Sequence, residues 1–144
     1  MTQIDFYILH DTAGDRFVCK LAAKAWRQNH RIYIHTGSEL QAAAIDDLLW
    51  SFRDISFVPH AQVADNPQPE TPILVGCGEP PHGFDQILIN LAHPAPEFFS
   101  RFQRVLEAVD AERRQQARAR YRYYQERGYT PSTHEIQSDD ESSE

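Results

Sequence analysis

Residues 4–10, IDFYILH, decide the fold. The run is aromatic and β-branched, apolar almost throughout, and closed by Asp11, Thr12, Ala13 and Gly14. A short apolar run bounded by turn residues predicts a buried strand. Just beyond it Phe17, Val18, Leu21, Ala22, Ala25 and Trp26 recur at helical spacing, which predicts a helix over residues 15–29. Residues 31–35, RIYIH, form a second predicted strand, ended by Thr36 and Gly37. Ser38 and Gln41 then have the spacing of a capping box. The helix they open runs to about Trp50 and is expected to bury Leu40, Ala44, Leu48 and Leu49. Residues 54–58 read as a short extended segment closed by Pro59 and His60, and the proline-rich residues 64–72 as a loop.

Further along, residues 72–76 (PILVG) and 86–91 (QILINL) predict two more buried strands, separated by CGEPPHGFD, too rich in glycine and proline for regular structure. Pro94 and Pro96 open a long helical region. Its first part is expected to bury Phe98, Phe99, Phe102, Val105, Leu106 and Val109. The apolar stripe stops at residues 109–111, where Asp110 can cap a new helix that Gly128 ends. Apolar strands alternating with helices predict an α/β fold: three α/β/α layers, a mostly parallel central sheet and a long C-terminal helical region. The folded domain is expected to span residues 1–129. Residues 130–144 have little to bury, carry Glu135, Asp139, Asp140, Glu141 and Glu144, and are expected to be a disordered acidic tail.

Composition narrows the class. A chain of 144 residues is long enough for one domain with its own core. It has no run of 18 apolar residues, and MTQIDFYILH lacks a basic start and a cleavage site, so no membrane span or signal peptide is expected and the setting is cytoplasmic. Cys19 and Cys77 sit in apolar surroundings and read as reduced thiols.

Against an overall formal charge of -7, one stretch inverts the sign. Arg113, Arg114, Arg118, Arg120, Arg122 and Arg127 face only Asp110, Glu112 and Glu126, and alternate with Tyr121, Tyr123 and Tyr124. On a helix Arg114, Arg118, Tyr121 and Arg122 share a face, which puts three guanidinium groups around one aromatic ring. Guanidinium forks suit carboxylates and phosphates, and the ring adds an apolar wall. Two readings stand at this point: a docking site for an acidic peptide or a nucleic-acid phosphate, and a solvated helix face.

Signals for catalysis are weak. The loop at residues 10–15 has one glycine where a dinucleotide fingerprint needs three, and no P-loop lysine. The seven histidines show no metal-ligand spacing, though His10 and His35 end adjacent predicted strands. Neither a cofactor nor a metal is expected. Trp50, Phe52, Phe57 and Val58 crowd the end of the second helix, as core residues or as exposed anchors of an interface.

Several words now stand in a fixed order: the opening FYIL (6–9), C-x-x-A-x-x-A-W-R (19–27), L-L-W (48–50), S-F-V-P-H (56–60), I-L-I-N-L (87–91), and A-R-x-R-Y-R-x-Y-x-x-x-G-Y (117–129). The pattern resembles the chi subunit family of bacterial DNA polymerase III. The resemblance implies a non-catalytic replisome adaptor of α/β fold that binds the acidic C-terminal tail of single-stranded DNA-binding protein. It also implies a link to the clamp loader through the psi subunit, with DNA met only indirectly. Tail-binding positions carried over from the family fall on Arg114, Arg118, Tyr121 and Arg122, with Val109 as a wall of the hydrophobic pocket; the psi-facing positions fall on Trp50 and Phe57. The rival is direct binding of single-stranded nucleic acid by the same basic helix, against which the net charge of -7 argues.

Overall fold

Among the described residues, the strand predicted at residues 4–10 lies one place from the edge of a seven-stranded sheet in which every pairing is parallel. The structure is a computed structural model that describes residues 2–10, 14–51, 59–65, 67 and 70–136. In chain order the elements are β1 (Gln3–Leu9), α1 (Gly14–Arg27), β2 (Ile32–His35), α2 (Glu39–Ser51), β3 (His60–Gln62), β4 (Ile73–Gly76), β5 (Ile87–Asn90), β6 (Arg104–Val109), α3 (Arg114–Glu126) and β7 (Ser132–Ile136). The strands lie in the order β3-β4-β2-β5-β6-β1-β7. The mixed α/β fold with a parallel central sheet and a C-terminal helix is as expected.

Strand side chains alternate between faces, so the inner strands feed two cores. Leu9, Ile34, Ile89 and Leu106 meet Phe17 and Val18 of α1 and Ile45 and Leu49 of α2. On the other face Phe6, Tyr33, Leu88, Val105 and Val109 meet Phe99, Phe102 and, from α3, Ala117 and Tyr124. Each of the large side chains sealed in these layers contributes about 1.5–3 kcal/mol. Half of the predicted box at the start of α2 is formed: the Gln41 amide donates to Ser38 Oγ at 3.1 Å, whereas the Gln41 side chain accepts from the amide of Gly37, one residue before the cap, at 2.8 Å.

Three expectations are corrected. Residues 94–109 are not one long α-helical region. A 3-10 turn, Glu97–Arg101, leads into β6, a strand inserted between β5 and β1. A strand buried on both faces is apolar nearly throughout, and such a run satisfies a helical template by accident. Second, α2 buries Ala42, Ile45 and Leu49, whereas Leu40 is 84% exposed. Both stripes have helical spacing, and the way α2 crosses the sheet selects between them. Third, residues 132–136, assigned to the acidic tail, form β7 and pair with Asp5–Leu9 of β1. Its side chains are mostly exposed, so its backbone hydrogen bonds, and not an apolar pattern, hold it in the sheet. The predicted segment at residues 54–58 and the acidic residues 138–144 lie outside the described residues.

Candidate functional site

Helix α3 is fixed at both ends. At the start, Asp110 accepts from the Arg113 amide at 3.2 Å and from Arg113 Nη1 at 2.8 Å, capping the turn as its sequence position predicts. The same carboxylate accepts from the Gly14 amide at 3.2 Å, which ties the start of α1 to the start of α3. Gly14 permits that approach: a Cβ there would lie 2.7 Å from Asp110 Oδ2 and collide with the Arg113 guanidinium. At the other end Gly128 takes φ +95°, its amide donates to the Gln125 carbonyl, and the Tyr129 amide donates to the Tyr124 carbonyl. That pair of bonds is the Schellman stop, and it needs a residue tolerant of the left-handed region.

Between those ends a buried polar network sets how α3 faces the sheet. Glu107 of β6 is wholly buried. It accepts from Arg120 Nε at 3.0 Å, Asn90 Nδ2 at 2.9 Å and the Tyr124 hydroxyl at 2.7 Å. Burial pushes the Glu107 carboxyl pKa up, and the Arg120 guanidinium and the Asn90 and Tyr124 donors work against that rise. The Tyr124 hydroxyl is pushed up by burial and by the Glu107 charge beside it. Arg120 Nη1 lies 3.1 Å from His93 Nδ1, and His93 is held below its ordinary value by burial and by the Arg120 charge. Two of the six arginines in the basic stretch are therefore internal partners: Arg120 is 3% exposed, and Arg113 is bound to Asp15 and Asp110.

On the outer flank of the helix a pocket of about 320 Å³ opens between α3 and the β1–β7 edge. Its walls and floor are Phe6, Ile8, Val109 and Ala117, with Arg114, Arg118 and Tyr121 from the helix side and His10, Thr133 and Glu135 from the sheet side. Four of the five predicted residues, Val109, Arg114, Arg118 and Tyr121, thus line one pocket. Arg122 is exposed and is not among the lining residues. Each i+4 step overshoots a full turn by about 40°, so the stripe winds away from the sheet edge by its third arginine. Tyr121 is anchored, its ring 5.1 Å from Phe6 and its hydroxyl donating to the Pro131 carbonyl at 3.1 Å. Nothing in the sequence placed His10, Thr133 or Glu135 in this pocket. Glu135 meets His10 across 125 positions of chain, and no local spacing carries that contact.

The second predicted surface is only half described. Trp50 is 61% exposed, with its ring 4.6 Å from that of His60; Phe57 lies outside the described residues, as do Phe52 and Val58. His10 and His35 are not neighbours, because β5, β6 and β1 follow β2 in the sheet and β1 is three places away. Among the described residues no group of three or more His, Cys, Asp or Glu side chains is placed to hold a metal ion. Cys19 is buried, which pushes its thiol up to about 12, and the Cys77 thiol donates to Glu39 Oε2 at 3.2 Å, which raises it as well. No helix among the described residues is long and apolar enough to cross a membrane.

A family model described as DNA polymerase III chi subunit, HolC, matches residues 1–132. The chain belongs to the DNA polymerase III chi subunit family. It is 40% identical over 141 residues to the DNA polymerase III subunit chi of Pseudomonas aeruginosa, an alignment covering 94% of this chain and 98% of that one. It is 33% identical to the subunit chi of Haemophilus influenzae, covering 91% and 95% of the two chains, and 32% identical to that of Escherichia coli K12, covering 92% and 97%. Family membership makes it an accessory subunit of the replisome. Among solved structures it is similar to the crystal structure of T4 UvsW, with a TM-score of 0.64 at 11% identity over 94% of this chain and 42% of that one. That likeness is one of fold alone.

Proposed function

We propose that this subunit is a non-catalytic adaptor that captures the acidic C-terminal tail of single-stranded DNA-binding protein in the pocket beside α3. A second surface, assigned to Trp50 and Phe57, joins it to the clamp loader through the psi subunit. The observation that carries the tail assignment is one pocket with an apolar floor of Phe6, Ile8, Val109 and Ala117 beneath Arg114 and Arg118. An acidic tail with an apolar end offers both complements: carboxylates for the guanidinium forks, and a side chain for the floor. Ordering a flexible tail opposes binding, so each contact is modest, and several tails on one oligomer recover affinity through multivalency. Trp50 supports the second surface as a large ring beside His60 that is 61% exposed.

The test is a titration of the protein with the tail peptide of its own single-stranded DNA-binding protein, followed by fluorescence anisotropy. Binding should weaken with salt and when the last apolar residue of the peptide is removed. Sensitivity to salt with indifference to that deletion would leave only an electrostatic patch. Tighter binding of single-stranded DNA than of the peptide would favour direct nucleic-acid recognition instead.

A further inference from the structure

Glu135 is out of character with its surroundings. Among the described residues it is the one acid lining a pocket that also holds His10, Arg114 and Arg118. Its Oε1 lies 2.5 Å from His10 Nε2, and the other ring nitrogen, Nδ1, lies 3.5 Å from Arg114 Nη2. A guanidinium has only donors, so Nδ1 must accept, and the ring proton sits on Nε2, where it is given to Glu135. Arg114 Nη2 also points at the Leu9 carbonyl, 3.4 Å away. The head of Arg114 is thus held toward β1 by the Leu9 carbonyl and by the His10 ring that Glu135 orients, while Arg118 is exposed on the helical rim.

We infer that Glu135 is a specificity-determining residue of this pocket: a resident carboxylate that keeps ligand carboxylates off the β7 side and confines them to the Arg118 rim. The inference rests on the tail-capture function proposed above and says how the tail must lie. A ligand carboxylate set against Thr133 meets Glu135 as a like charge, whereas one at the rim meets a guanidinium. An apolar group on the floor between Ile8 and Val109 meets neither. The pocket therefore reads the order of charge and apolar surface in its ligand, not charge alone.

Glu135→Gln separates this role from a purely structural one. Glutamine still accepts from His10 Nε2, so the contact between β7 and β1 persists and only the charge goes. The assay uses the full-length protein and two synthetic acidic peptides of one sequence, one ending in a free carboxylate and one in an amide. The Glu135 and His10 side chains are 62% and 36% exposed, so solvent limits the effect. Glu135→Gln should bind the free-carboxylate peptide roughly two- to fivefold more tightly, and the amidated peptide should gain less. Glu135→Ala should show the same order of peptides. Unchanged or weaker binding of the free-carboxylate peptide overturns the inference, and so does an equal gain for both peptides, which would mean a general change of field. Arg118→Ala in the same assay keeps the two levels apart. If it weakens binding while Glu135→Gln does not strengthen it, only this inference falls; if Arg118→Ala is silent, tail capture falls with it.

Discussion

Arg118 and Arg120 stand two residues apart on α3 and differ in almost everything but side-chain chemistry. Arg118 is exposed on the rim of the pocket, and Arg120 is 3% exposed, with its guanidinium against Glu107. Two residues turn an α-helix by about 200°, so neighbours of one charge face solvent and core in alternation. A charge count along this stretch consequently overstates the basic surface. Arg120 serves the sheet and Arg113 serves Asp15 and Asp110, which leaves Arg114, Arg118, Arg122 and Arg127 to define the outer field. The inner arginine decides which way the helix is turned; the outer ones meet whatever arrives.

The comparison breaks most sharply at Arg120. Arg120→Ala should destabilise the fold by about 3–5 kcal/mol in chemical denaturation, because Glu107 keeps its burial and loses its counter-charge. A cost below about 1 kcal/mol would mean that the ion pair does not hold α3 to β6. Replacing Glu107 and Arg120 together by apolar residues of similar volume should recover much of the loss.

His35 extends the contrast to pH. It lies on the same inner face, ringed by Tyr33 and Phe98, and burial lowers its pKa from 6.5 to about 4. Between these values the unfolded chain binds a proton that the folded chain refuses. Stability should therefore fall as pH drops from about 6.5 to about 4, by on the order of 2–3 kcal/mol. His35→Leu should flatten that portion of the stability profile, and an unaltered profile would assign the acid sensitivity elsewhere.

On the outer face the effects should appear in binding and not in folding. Arg118→Ala should weaken the tail peptide roughly tenfold through loss of charge-assisted hydrogen bonds, with no shift in the unfolding midpoint. A lowered midpoint would blur the inner–outer distinction. Arg122→Ala should cost only about two- to threefold, vanishing at high salt, because its charge acts on the ligand from outside the pocket. Equal effects of the two substitutions would mean that the ligand follows the helix stripe and not the pocket.

The sequence made the central strands legible because residues 4–10, 31–35 and 86–91 are apolar, β-branched and bounded by turn residues. It misread β6 because RVLEAV, buried on both faces, has no period of two to separate it from the helix pattern before it. It missed β7 because STHEI buries almost nothing. In the pocket, the residues on α3 were visible through their i, i+4 and i+7 spacing. His10, Thr133 and Glu135 were not, since their proximity is created by the parallel pairing of β1 with a strand more than a hundred residues later. Val109 entered as the wall of a pocket by resemblance; its place at the end of a strand beneath α3 comes from the fold.

That pairing also dictates an order of events during synthesis. The first strand made, β1, has as its two sheet neighbours β6 and β7, and Gln3 waits for Arg104 as Asp5 waits for Ser132. A nascent chain that has reached residue 100 holds an apolar strand with both hydrogen-bonding edges open, the state in which chains aggregate or recruit chaperones. Contacts so distant in sequence form slowly. The wall carrying Thr133 and Glu135 closes last, so the pocket is complete only once β7 has paired with β1.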